Sequence, residues 1–432
     1  MMETVVWNKT PFKRLIVAAM LGVGTSIAPL VLLGFGLSTF IVIRIVGQEN
    51  ATAVYGTASG ITGIAVVVFG LFGGVIADKT RIRMGRRRFW MVAGSILGAI
   101  SMVLLTYAAT IPMFIISLCL ANFFYGMVSL SCYAIVPEQV NPEKFGRVSG
   151  LIGASAPAFV MSGQMLMGVF ADSTLEQKMI TLIIIQLIGG IAAALLIKDN
   201  HFARTENKEK KSSGIRGFYP SFKQHPAYTW ALLTKLFINF SNAGLNMLTL
   251  FYIARFHLSE TKIFQIMGLT APTIILMVGA GILGGFLSDK VKKQKPFVMG
   301  AALITALCLV AFAFSTSVAW VIVGNFIFNF GFGMYNAVDN ALVNRILPSK
   351  ENAAKDISIM NTTTNMASTL VSFAAPVLIA FGASTFGGDG YTMFFLVLAA
   401  FSILSAIAVL PIPEMEGKDE AGDEPIDEII VS

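Results

Sequence analysis

The chain has 432 residues, 55% of them hydrophobic and only 13% charged, with a formal net charge of +7. That is too apolar for one soluble core and its solvated surface, so a soluble globular protein is excluded and the bilayer must act as solvent. The cations turn out to sort by membrane side, so their excess implies no nucleic-acid partner.

An apolar helix needs about 20 residues to cross a hydrocarbon core roughly 30 Å thick. By that ruler twelve spans are predicted, at 15–43, 52–77, 89–109, 112–136, 147–171, 179–197, 228–254, 262–288, 296–315, 318–343, 357–382 and 392–411. The runs are continuously apolar, without the period-two alternation of a membrane barrel, so the predicted fold class is an all-α polytopic membrane protein.

The first span is too long for a cleavable signal peptide and lacks a small-residue cleavage site. Its short polar residues, Thr25 and Ser26, are scattered. The second ends in Gly70, Gly73 and Gly74, a face without side-chain bulk that lets a neighbouring helix approach. Asp78 and the stretch "ADKTRIRMGRRRFW" follow, with six cations before the next apolar run. On the fourth span Asn122, Tyr125, Ser129 and Tyr133 share roughly 80° of helix face. On the seventh, Lys235, Asn239, Asn242 and Asn246 fall within roughly 60°. Asn325, Asn329, Asn336, Asp339 and Asn340 share roughly 100° of the tenth, and Asn361, Asn365, Ser368 and Ser372 roughly 60° of the eleventh. Such stripes cannot face lipid, so they line helix contacts or water. Cys119, Cys132 and Cys308 lack metal-ligand spacing and read as packing residues.

With a cytoplasmic N-terminus, 26 of the 31 Lys and Arg residues fall on the inside, and only Arg44, Lys178, Arg255 and Lys262 outside. Lys and Arg near helix ends resist translocation, so a multi-pass protein of the cell membrane with both termini cytoplasmic is expected. Trp7, Trp90, Trp230 and Trp320 fall at span ends, as interfacial rings do.

"GLFGGVIADK" (70–79) matches "GILGGFLSDK" (281–290) at an offset of 211 residues, and the same offset sets Pro137 on Pro348 and Lys144 on Lys355. The expected organisation is therefore a six-helix half at 1–197, a polar cytoplasmic linker at 198–227, a second half at 228–412 and an acidic disordered tail at 413–432. Two parallel six-helix repeats are the layout of major facilitator transporters.

Gly74, Asp78, Arg83, Gly85, Arg86 and Arg87 resemble the loop signature that major facilitator proteins carry between helices two and three. The longer gap from Asp to Arg is similar to that of the glycoside-pentoside-hexuronide cation symporters and sucrose-type transporters. "GMYNAVDNALVNRILPSKENAAKDISIMN" (333–361) resembles a segment of sugar-type members of that branch, and "AIVPEQVNPEKFGRVSG" (134–150) its first-half counterpart. The resemblance implies a central cavity walled by helices one, four, seven and ten. It also gives the glycine, Asp78 and the arginines the role of a conformational latch; the alternative is topology alone.

Amide and hydroxyl side chains with interleaved rings suit a sugar, glycoside or similar small polar solute. Asn122, Tyr125, Tyr133, Asn239, Asn242, Asn246, Asn329, Tyr335 and Asn336 are the expected cavity residues. Lys235 and Asp339 are the ionisable residues deep in spans, both roughly 10 to 13 Å from the cytoplasmic ends. A pair between them is plausible, with Asp339 carrying a coupling proton or with both residues as static architecture. Melibiose-type symporters hold their cation with acids on helix two, and this helix two has none before Asp78, so a sodium site of that kind is unsupported. His201, His225 and His257 all fall in loops, which leaves no intramembrane histidine relay.

The expected function is secondary active transport, with proton symport by alternating access. A drug/proton antiporter, a lipid-type carrier and a transceptor are the alternatives. No nucleotide loop, metal-ligand cluster or triad spacing suggests an enzyme, a metal or a cofactor.

Overall fold

The computed structural model describes residues 10–141, 144–199, 226–346 and 353–412; most of the expected linker and the acidic tail lie outside them, as do the side chains of Asn340 and Asn361. Among the described residues all regular structure is helical. Hydrocarbon offers no hydrogen bonds, so the backbone satisfies itself locally.

The first two passes form one helical path: α1 (Phe12–Leu32), a π turn (Leu33–Leu37) and α2 (Ser38–Lys79). Gly47, with φ 77° and ψ 167°, breaks that path into two passes at an angle pair suited to glycine alone. Then come α3 (Arg86–Thr106), α4 (Ile111–Gln139), α5 (Phe145–Val169) and α6 (Leu175–Leu196), one pass each. The helix of the sixth pass begins four residues before the expected 179, because the polar capping box of Thr174 and Gln177 reads as loop in sequence yet holds the first turn.

The seventh pass is α7 (Pro226–Ala243), a 3-10 turn (Gly244–Met247) and α8 (Leu248–Phe256). In the eighth, Pro272 separates α9 (Glu260–Thr270) from α10 (Thr273–Val291). The last four passes are α11 (Lys295–Ala313), α12 (Val318–Ile346), α13 (Ala353–Phe386) and α14 (Tyr391–Ala408).

Helices α1, α3, α4, α5 and α6 pack among themselves, and so do α7, α10, α11, α12, α13 and α14. The two groups meet through α2 against α13 and α5 against α9. Small residues permit both contacts. A Cβ on Gly56, Gly60 or Gly63 would strike Pro376, Phe373 or Thr369, and one on Gly168 would lie 2.7 Å from the Gly268 Cα. Thr249 Oγ1 adds a 2.7 Å hydrogen bond to the Phe35 carbonyl in the π turn.

These contacts lie on the side away from Asp78. Towards Asp78, a Cβ on Gly70, Gly74, Gly150 or Gly153 would meet nothing within 4 Å. The expected close approach at Gly70 and Gly74 is thus not made in this conformation, because the two groups are joined at the other end. Gly73 alone of that face has a near neighbour, Met127 of α4. Large exposed side chains such as Val169, Ile282 and Leu307 cover the outside, as lipid-facing residues should.

Candidate functional site

A cavity of about 720 Å³ lies between the two groups. Its polar lining is carboxamide and hydroxyl: Asn122 from α4, Gln164 from α5, Asn242 from α7, Asn246, and Asn325 and Asn329 from α12, among others. Among the described residues no Asp, Glu, Lys, Arg or His lines it. Phe332 and α1 residues Ile27, Leu30 and Val31 supply apolar wall. Neutral donors and acceptors set in apolar surface suit an uncharged polar ligand.

Of the expected cavity residues, Asn122, Asn242, Asn246 and Asn329 reach it, whereas Tyr125, Tyr133, Asn239, Tyr335 and Asn336 do not. Tyr125 is fully buried and packs on Gly98 of α3, and Tyr133 is 43% exposed without lining the cavity. Asn239 donates Nδ2 to the Lys235 carbonyl at 2.7 Å. Tyr335 is buried, donating its hydroxyl to Asp339 Oδ1 at 3.3 Å. Asn336 is half-buried off the cavity. Tyr133, Asn239, Tyr335 and Asn336 lie beyond the cavity along their helices towards the Asp78 end, whereas Tyr125, three residues from Asn122, is turned onto α3. Gln164, Asn325, Tyr55 and Thr249 line the cavity without having been expected there as site residues.

Lys235 Nζ stands 3.4 Å from Asp339 Oδ2, with side chains 7% and 1% exposed. The pair ties α7 to α12 inside one helix group and does not line the cavity. Each charge is removed from water, so each makes the other tolerable.

At the Asp78 end, Arg87 Nη2 lies 2.8 Å from Asp78 Oδ1 and 2.7 Å from Glu138 Oε1. Arg86 reaches Glu138 at 2.6 Å and Asp78 at 3.8 Å. Arg83 is exposed and outside the cluster, and Gly74 meets no neighbour. Glu138 and Asp199 were not expected. Asp199 Oδ2 accepts the backbone N–H of Arg87 at 2.7 Å and of Arg88 at 3.1 Å, placing a negative charge on the N-terminus of α3. The same knot ties Thr10 to Lys198 and Gln139, joining the chain before α1 to the ends of α4 and α6.

Gly85 holds φ at 92°, and a Cβ there would lie 2.4 Å from Asp199 Oδ2. Gly85→Ala is therefore expected to cost about 1–3 kcal/mol, read as a lower Tm of the detergent-solubilised protein. An unchanged Tm would show that neither the backbone angle nor the Asp199 cap matters.

At the opposite end, the Lys178 side chain of α6 is fully buried. Its Nζ lies 3.2 Å from Glu260 Oε1 and 4.3 Å from the centre of the Phe264 ring, both on α9. The sequence marks Lys178 only as one more charge near a span end. Arg44 and Glu176 pair nearby at 2.9 Å.

The arrangement has solved counterparts. The chain is similar to the nucleoside transporter NupG, at 15% identity and TM-score 0.67, over 92% of this chain and 98% of that one. It is similar to a D-xylose-proton symporter, at 15% identity and TM-score 0.69, over 94% and 99%. A bacterial homologue of the human lysosomal transporter Spinster, inward-facing and occupied, gives 14% identity and TM-score 0.66 over 92% and 94%. At such identities the likeness is one of fold. Comparison with curated proteins by sequence gives no match. The family model described as the Major Facilitator Superfamily matches residues 14–372, most of the twelve passes and every residue of the cavity wall, and the chain belongs to that family of transporters.

Proposed function

We propose that the protein is a secondary transporter of an uncharged polar solute of the sugar or glycoside type, working by alternating access in the cell membrane with both termini cytoplasmic. The single observation behind this reading is the cavity wall, which carries carboxamides and hydroxyls and, among the described residues, no charge. A sugar hydroxyl both donates and accepts, as a carboxamide does. A cationic drug would find no acid there among the described residues, which weighs against the drug/proton antiporter. The loop resemblance supports the glycoside-pentoside-hexuronide or sucrose-type branch. The two halves, 1–197 and 228–412, are the rocking bodies, and with the Asp78 end cytoplasmic the conformation is open inwards.

Coupling to protons runs through Asp339, with Lys235 as its counter-ion. Because the pair lies off the cavity, its effect on the solute is indirect. A proton on Asp339 weakens the tie between α7 and α12 and shifts the balance of conformations that differ in that contact. In proteoliposomes, Asp339→Asn is expected to abolish uphill accumulation under an imposed pH difference while leaving counterflow exchange. Accumulation by the variant would reduce the pair to architecture. Failure of the wild type to take up any of D-xylose, D-glucose, a methyl glucoside or uridine would overturn the function itself.

A further inference from the structure

The cavity wall is not polar all round. The groups meet along two seams, α2 with α13 and α5 with α9. Beside the first seam α4 packs on α2 and α7 on α13; beside the second α1 packs on α5, and α10 continues α9 past Pro272. The α2–α13 side carries Ser59, Asn122, Asn242, Asn246, Asn365 and Ser368, all half-buried or exposed. The α5–α9 side carries Leu30, Val31, Pro157, Ile266, Ile274 and Met277, all half-buried.

The division has exceptions. Val66 and Leu245 interrupt the polar side. On the apolar side the polar groups are withdrawn: Gln164 and Thr273 are 7% and 5% exposed, and Thr270 donates Oγ1 to the Ile266 carbonyl at 2.9 Å. Asn325 and Asn329 stand between the sides on α12, where Asn329 Nδ2 donates to Asn325 Oδ1 at 2.8 Å. A ligand hydroxyl set against aliphatic wall loses water and gains no partner. A free sugar, hydroxylated all round, meets that cost wherever it touches the second side. A sugar with one hydroxyl capped by an apolar group avoids it there and buries that group instead. At about 720 Å³ the cavity has room for both parts.

We propose that the solute is a neutral amphipathic glycoside, with its sugar ring on the α2–α13 side and an aliphatic aglycone laid against Pro157, Ile266, Ile274 and Met277. This rests on the function proposed above and narrows it. Flat rings that would cover a bare sugar face are scarce, since Tyr55, Tyr252 and Phe332 of the wall are buried. Among the described residues the wall has no cation, which weighs against an amphiphile with a phosphate or carboxylate head.

The test is calorimetric titration of the full chain in lipid nanodiscs, with empty nanodiscs as the blank. The probes are D-glucose, D-xylose and the methyl, propyl and butyl α- and β-glycosides of each. For one anomer, affinity should rise about three- to fourfold per methylene, and the heat-capacity change of binding should grow more negative along the series. The other anomer partitions into lipid alike but turns its aglycone off the apolar side, so it should show no rise. Ile266→Ser and Met277→Ser should each flatten the series while leaving the methyl glycoside within about twofold of the wild type. Asn365→Ala should weaken methyl and butyl glycosides equally. If neither serine variant folds, the comparison of anomers in the wild type decides. Binding without a rise towards butyl, an equal rise for both anomers, or a rise that survives in a folded serine variant would overturn the aglycone site and leave transport of a sugar standing. If no probe binds, both fall.

Discussion

Lys235→Ala is expected to lose about 3–5 kcal/mol of stability, more than any other single change at the site, because it strands the Asp339 carboxylate at 1% exposure. Tyr335 still donates to Oδ1, but one hydroxyl cannot replace a cation. The double change Lys235→Ala with Asp339→Asn should recover most of the loss, since it leaves no buried charge. Asp339→Asn alone should fall between them. The cation it leaves is a lysine whose four-carbon stem can reach towards the nearby Asp78 end, an escape that a short aspartate lacks. Monodispersity and Tm of the four proteins in one detergent give the comparison. Additive losses in the double variant would mean that the 3.4 Å contact carries little energy.

The second large effect is expected at Gly168→Val. The new Cβ would meet the Gly268 Cα at 2.7 Å, and backbone cannot swing aside as a side-chain tip can. The helix group that contains α5 should fold, because Gly168 packs across to α9 rather than within its own group. Closure of the Lys178 end should fail, and turnover should drop by at least tenfold. Lys178→Met should be milder. It removes a cation, but Glu260 is 37% exposed on its side chain and can take up water in its place. A Gly168→Val protein that transports at the wild-type rate would show that the two backbones need not touch.

How much of this was legible in the chain depends on scale. Twelve passes follow from apolar run length, which already separates the first two around Gly47, whereas the break at Pro272 inside the eighth is one that length alone would miss. Asp78 and Arg87 could be brought together because nine residues spanning a short turn leave few alternatives. Glu138 and Asp199 could not. Each sits at a span end where acids are unremarkable, and the first meets Arg87 from a sequence distance of 51 residues. The polar stripes fixed a helix face only broadly and gave no height, so Asn122 reached the cavity while Tyr125, three residues on, turns onto Gly98. Lys235 and Asp339 were matched in depth, and the structure puts them in contact. Gln164 stood alone among glycines and methionines, with no periodic partner to draw attention to it.

Asp199 has a consequence in time. It follows the sixth pass yet caps the first turn of α3, 112 residues earlier in the chain. A ribosome adding roughly 5–20 residues per second takes on the order of six to twenty seconds to cover that distance. Through that interval the first turn of α3 exists without its carboxylate, and Thr10 without Lys198. The knot can be tied only once residue 199 has left the exit tunnel. The first six helices then become a finished piece while the remainder is still unmade, and a nascent chain halted just before Asp199 should be cut by protease near Arg86, where one halted soon after it should resist.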